Sequence, residues 1–261
     1  MQRIVPANSN DTNPKLLFSM NIASFILHII NFTALLVLFI TNDDFDVELP
    51  ITKNKVEYDS GNINVKLTEL FKVKMPILSI IYFFIASFSH LIILFRWNKW
   101  LIQEKNGKNI NRWGEYVLSS TVMMIMIAFY SNIFDIYLHL FIILFNMIMI
   151  SMGYLMENYN DKFIYWGLGC VFGTMEWIVV FVNLFFSEDV DTINVILVVS
   201  IFFLFCLFPI NSLLHEYKIG PWERYDILEV SFQILSIVTK STLGWLSYFL
   251  LTNFKDTIEL E

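Results

Sequence analysis

Residues 234–251 read ILSIVTKSTLGWLSYFLL, a run apolar enough for a membrane-spanning helix except for Lys240 near its middle. A bilayer core about 30 Å thick takes roughly 20 apolar residues per helix. A lysine at mid-helix costs roughly 2.5–3.5 kcal/mol on insertion scales and is seldom kept without a use. Leu251 is eleven residues beyond Lys240, about 16 Å at 1.5 Å per residue, too far for the ammonium to snorkel to the interface. Two readings are left, a structural ion pair or chemistry. Desolvation disfavours the charged ammonium, so a buried lysine is a competent nucleophile for a carbonyl and forms a Schiff base.

The rest of the chain supports a membrane reading. Of 261 residues, 56% are hydrophobic, and they are gathered into blocks, unlike the dispersed pattern of soluble domains. Seven spans are expected, at 16–40, 75–95, 109–131, 133–156, 163–186, 193–214 and 226–251, in one all-α membrane domain covering 1–261. The third is the weakest, because NRWGEY precedes its apolar VMMIMIAF. The first run is too long for the h-region of a signal peptide and reads as a retained helix. Cys170 and Cys206 both fall inside spans, so neither a disulfide framework nor a metal site is expected. No segment is basic enough for nucleic acid.

Lys and Arg gather in cytoplasmic loops. Arg3, Lys15, Arg96, Lys99, Lys105, Lys108, Arg112, Lys162, Lys218 and Arg224 fall on one side of the membrane. Lys53, Lys55, Lys66, Lys72, Lys74 and Lys255 fall on the other. This bias predicts a cytoplasmic N-terminus and an extracellular C-terminus, and it leaves Lys240 as the one basic residue inside a span. The first outer loop, 41–74, contains ITKNKVEY and INVKLTEL around DSGN. Their alternation predicts a β-hairpin that packs on helix ends or a partner as a lid.

A charged imine inside the membrane needs a carboxylate. The candidates are Glu115, Glu176 and Glu229, with Asp135 at a span end and wetted. Ser119 stands one turn beyond Glu115 on the same face. Glu229, Gln233, Ser236 and Lys240 form one stripe at helical spacing that must look into the bundle. Asn21, Ser24, His28 and Asn31 repeat the pattern in the first span, and the second contributes His90. The two histidines bind water or take a proton, or else are satisfied core residues. His139 reads as the latter. Gly169 and Gly173 have the G-x-x-x-G spacing of close helix packing, and a glycine also makes room for a flat ligand.

Seven spans with a lysine in the last, a cytoplasmic N-terminus, NRWGEYVLSSTVMMI (111–125) and LSIVTKSTLGW (235–245) together resemble the heliorhodopsin family. Its patterns there are close to R-W-x-E-Y-S-x-S and L-S-L-V-x-K-x-x-L-x-W. FNMIMISMGYLME (145–157) and GCVFGTMEWI (169–178) have counterparts too, and the resemblance covers essentially the whole chain. It implies a seven-helix rhodopsin-like bundle with all-trans retinal on Lys240, held as a protonated Schiff base. It further implies Glu115 as counterion, Ser119 and Ser236 beside the Schiff base, and Met123, Asn146, Gly173 and Phe205 lining the chromophore. His28 and His90 would occupy a polar cavity toward the cytoplasm, and the protein would be a homodimer. The chain departs from the family pattern at Glu176, where a proline is usual, and at Ala86, where a serine is common. The second departure implies a rearranged hydrogen-bond network around His90.

Function divides three ways. The first reading is a photoreceptor, not an enzyme, whose photocycle is read by an unidentified signalling partner. The second is a light-gated passive proton or ion channel, using Glu176 with Glu115, Glu229 and Gln233. The third is a seven-helix protein without retinal, a receptor or an imine-forming enzyme. A nucleophile elbow, a P-loop and H-E-x-x-H are all absent from the sequence.

Overall fold

Short polar residues mark where the helices begin. The computed structural model describes residues 12–59, 62–187 and 190–258. Helix α1 (Pro14–Thr41) starts where the Asn13 side chain accepts from the amides of Lys15 and Leu16, with Pro14 needing no donor at the first turn. Two long strands follow, β1 (Glu48–Asp59) and β2 (Asn62–Lys74), and β2 runs directly into α2 (Met75–Phe95). A short helix α3 (Trp97–Lys105) precedes α4 (Ile110–Tyr130), which Asn109 caps through the Arg112 amide. Asp135 caps α5 (Ile136–Asn158). Then come α6 (Lys162–Phe186), α7 (Thr192–Glu216, capped by Asp191) and α8 (Tyr225–Ile258).

Among the described residues seven helices are long and apolar enough to cross a membrane, all but α3. The α4 span, the least apolar of them in sequence, is the central one. Of its most apolar window 67% is buried, against 17% for α1, α5 and α7. It packs on α2 and α5 and also touches α6 and α7. A helix shielded from lipid by its neighbours can carry polar residues that a lipid-facing helix cannot, so low hydropathy here reflects position.

Three expectations need correction. The basic loop after the second span contains α3, whose Trp100 and Glu104 are buried against the bundle. The hairpin strands extend well past the alternating segments, to Glu48 and Lys74. Lys240 is also not the only basic residue inside a span. Arg112 is the third residue of α4 and is buried, and Glu157 and Glu229 both pair with it. A guanidinium with two carboxylates does not carry the cost of an isolated buried charge. Ser60 and Gly61 of the expected turn, and Arg3, lie outside the described residues.

The hairpin is antiparallel, from Glu48 opposite Lys74 to Asp59 opposite Asn62. At Ile51/Thr52 the register slips, so that Ile51 faces Phe71 and Thr52 faces Glu69. Such a bulge bends and twists the ribbon. Its base is tied to the bundle. The Thr52 amide donates to the Phe134 carbonyl at 2.8 Å, and Phe45 is fully buried edge-on to Tyr248, with ring centroids 4.9 Å apart. Lys74 Nζ donates to Asp46 at 2.7 Å, and these contacts hold the Lys74 ammonium above its usual pKa.

Candidate functional site

The stripe on α8 faces inward as its spacing requires: Glu229, Gln233, Ser236 and Lys240 are all buried. Lys240 Nζ donates to Ser236 Oγ one turn earlier, at 2.7 Å. Glu115 Oε1, on α4, lies 3.1 Å from the same nitrogen as an ion pair, and the Tyr116 ring centroid lies 5.3 Å from it. Tyr82, on α2, donates its hydroxyl to the Lys240 backbone carbonyl at 3.1 Å. This fixes the turn from which the lysine projects. Ser119 is fully buried, and its Oγ has no hydrogen-bond partner among the described residues.

Lys240 and Ser119 open onto a cavity of about 370 Å³, lined also by Met123, Gly173, Trp177 and Phe205. The lining is almost wholly apolar, with a few polar groups among which are Ser119, Ser236 and Lys240, the usual character of a small-molecule site. A Cβ at Gly173 would come within 2.7 Å of Met149 Sδ, so the glycine keeps this wall open. A Cβ at Gly169 would meet Met152 and Met149 of α5 at ordinary van der Waals distance, so this glycine is not required by close packing.

Asn146 is not part of the wall. Its Nδ2 donates to Ser120 Oγ and Thr121 Oγ1, each at 2.8 Å, and of these Ser120 lines the cavity. His28 and His90 stack with centroids 5.7 Å apart, between α1 and α2. His90 Nδ1 meets Asn21 Oδ1 at 3.0 Å, and Ser24 donates to Gln233 at 3.1 Å, which links this polar group to the α8 stripe. Neither ring nitrogen of His28 has a partner among the described residues. Ala86, buried one turn before His90, offers it no hydroxyl. Asn31 instead accepts from the Trp245 indole at 2.7 Å. His139 is buried, its Nδ1 3.0 Å from the Asp135 carbonyl. Glu176 is fully buried, and neither carboxyl oxygen has a partner among the described residues.

Glu229 belongs to a cluster that sequence reasoning did not assemble. Arg112 donates to Glu157 through one terminal nitrogen and to Glu229 through the other. Its guanidinium carbon lies 4.3 Å from the Phe232 ring centroid. Asn109 Nδ2 donates to Glu229 at 2.8 Å, and Trp113 Nε1 donates to Glu157 at 2.6 Å. The signal was present: an arginine within the third span and a glutamate closing the fourth are charges a membrane helix does not carry without partners.

The heliorhodopsin family profile matches residues 17–251. The chain belongs to the heliorhodopsin family. It is therefore an integral membrane protein, a retinal-binding, light-responsive seven-helix rhodopsin. No curated protein sequence matches it. Solved structures share the fold at low identity. The proton-pumping rhodopsin AR2 from the marine alga Acetabularia acetabulum superposes with a TM-score of 0.67 at 13% identity, over 96% of this chain and 99% of that one. Cyanorhodopsin from the cyanobacterium Tolypothrix sp. NIES-4075 gives 0.65 at 12%, over 92% and 97%. Halorhodopsin, a light-driven chloride pump, gives 0.62 at 11%, over 94% and 96%.

The residues present fit the chromophore that the family implies. The cavity is lined almost wholly by apolar groups and by a lysine with a carboxylate beside it, and Gly173 holds its wall back. The Ser119 hydroxyl, buried and unpartnered among the described residues, is a further hydrogen-bond group in the lining.

Proposed function

We propose that this protein is a photoreceptor in which Lys240 carries all-trans retinal as a protonated Schiff base and Glu115 is the counterion. The observation behind this reading is the lysine lining the apolar cavity, whose Nζ lies 3.1 Å from Glu115 and 2.7 Å from Ser236. Retinal bound there supplies the absorption of visible light and a photoisomerisable chain. Glu115 balances the positive charge at Nζ. Ser236, and Ser119 with its spare hydroxyl, hold the proton at that nitrogen by hydrogen bonding. Trp177, Met123 and Phe205 hold the chain of the ligand in a water-poor slot, and Gly173 leaves space for it. Asn146 acts through Ser120, which it holds in place.

His28 and His90, stacked on one another with His90 held by Asn21, are the groups that take up a proton displaced from Nζ. The Lys/Arg bias supports a cytoplasmic N-terminus and an extracellular C-terminus, and moving Arg112 from loop to helix leaves nine basic residues against six. A homodimer read by a signalling partner completes this reading. The test is Lys240→Ala reconstituted with retinal. Loss of the visible band with the helical content retained is expected, and a retained band would overturn the assignment.

A second reading, a light-gated passive proton conductance, rests on Glu176. A carboxyl group buried in a membrane helix without a partner among the described residues is a functional group by default. Whole-cell current under illumination at several holding voltages separates the two. A current reversing near the proton equilibrium potential and lost in Glu176→Gln, with the colour kept, supports conductance. A clear photocycle without current leaves the photoreceptor.

A further inference from the structure

The Arg112 cluster has one carboxyl group too many. Glu157 and Glu229 already engage the two terminal nitrogens of the guanidinium. Glu104, from α3, is a third carboxyl group in the same charge cluster and is fully buried. Neither of its oxygens has a hydrogen-bond partner among the described residues. The Arg112 Nε is buried and unpartnered among them as well. Two buried carboxylates and a half-buried third around one guanidinium would leave a large uncompensated negative charge in a medium that does not support it. No group of three or more side chains among the described residues is arranged to hold a metal ion. A proton is the remaining means of neutralisation.

We infer that Glu104 is a proton-binding site: it is neutral while Arg112 is shared between Glu157 and Glu229, and it gives its proton to solvent when Glu229 no longer neutralises Arg112. The carboxyl O–H breaks, the proton leaves to water, and the new carboxylate faces a guanidinium that one acid has given up. The inference concerns the α3 end of the bundle and does not rest on retinal being bound.

Charge around the site supports the assignment. Glu229 on α8 repels an anionic Glu104, and Arg112 on α4 is its one nearby attraction, already shared between two acids. Asp226 on α8 is occupied by Arg224 and the Asn13 amide, and Tyr225 donates to Glu157 at 3.3 Å. The lysines of α3 itself, Lys99 and Lys105, are exposed. No charged residue comes from α2. Burial, with Glu229 adding to it, raises the Glu104 pKa well above the usual carboxylate range.

The sign of the pH dependence follows. An acid neutral when folded and ionised when unfolded contributes most stability below its unfolded pKa of about 4.3, and this is lost as pH rises toward the folded pKa. Each pH unit in that window raises the unfolding constant about tenfold. The experiment is thermal unfolding of the full chain in detergent, without retinal, from about pH 5 to about pH 8. Wild type should lose stability as pH rises, whereas Glu104→Gln, a mimic of the neutral acid, should remove that tenfold-per-unit component. Glu229→Gln should remove it as well, because Glu104 then ionises against the freed nitrogen of Arg112. Equal slopes in wild type and Glu104→Gln would overturn the inference. If Glu104→Gln does not fold, Glu104→Met gives the same comparison, and a wild-type stability independent of pH overturns the inference without any variant. Because no retinal is present, either result is independent of the chromophore assignment.

Discussion

Glu115 Oε1 on α4 lies 3.1 Å from Lys240 Nζ on α8 as an ion pair, while Nζ donates a hydrogen bond to Ser236, one turn down its own helix. The division of labour follows from geometry. Ser236 orients the nitrogen, and Glu115 supplies the charge that stabilises a cation there. At 3.1 Å that attraction is worth roughly 5 kcal/mol for an effective dielectric constant of about 20.

Replacing Glu115 with Gln should therefore move the visible band of the retinal-bound protein to longer wavelength. The carboxylate holds positive charge at the nitrogen in the ground state, and excitation draws that charge away, so removing the anion narrows the gap. Absorption spectra of wild type and Glu115→Gln at one pH check it. An unmoved band would mean that another anion is the counterion.

Two glycines on neighbouring helices should respond unequally to alanine. A Cβ at Gly153 would lie 2.3 Å from the Trp113 ring, whereas at Gly173 the obstruction is the flexible Met149 sulfur at 2.7 Å. Trp113 cannot yield without losing its bond to Glu157. Gly153→Ala should cost roughly 1–3 kcal/mol and lower the thermal midpoint. Gly173→Ala should cost less, but it narrows the chromophore cavity and should slow the appearance of colour on adding retinal. Equal effects on both readouts would contradict this.

Breaking the arginine cluster from one side should be severe. Arg112→Gln leaves the buried Glu229 and the half-buried Glu157 without their cation, a loss of about 3–5 kcal/mol. Replacing all three with apolar residues of similar size should recover much of it. Thermal denaturation of the single and triple variants tests both statements, and a triple variant as unstable as the single one would show that the cluster adds net stability.

One of the ties that hold the hairpin is a backbone bond at its bulge. Thr52→Pro removes the amide that donates to the Phe134 carbonyl and should cost about 1 kcal/mol or more. Limited proteolysis should then cut the hairpin faster, with the seven helices left intact. An unchanged cleavage rate would show that Phe45, packed on Tyr248, anchors it alone.

The membrane class, the seven-helix bundle and the family were legible because each depends on local pattern. Apolar length sets a span, and spacing of four, seven and eleven from Glu229 puts Gln233, Ser236 and Lys240 on one face whatever surrounds the helix. Arg112 was misread for the complementary reason. Two residues into a helix, an arginine looks like the end of a loop, and nothing near it in sequence reveals that Glu157 and Glu229 converge on it from two other helices.

By itself the sequence determined what is periodic or costly in isolation: the spans, the alternating strands, and a lysine that a bilayer does not tolerate without a use. The tertiary structure alone decided which charges meet. Glu115 lies beside Lys240 while Glu229 is given to Arg112, Asn146 stands behind Ser120, and Glu176 and Glu104 are buried without a hydrogen-bond partner among the described residues. The physical reason is range. Helix formation and membrane insertion act on neighbours in the chain, whereas ion pairing and desolvation act between groups on different helices, as far apart in sequence as Arg112 and Glu229, that only packing brings within a few ångströms.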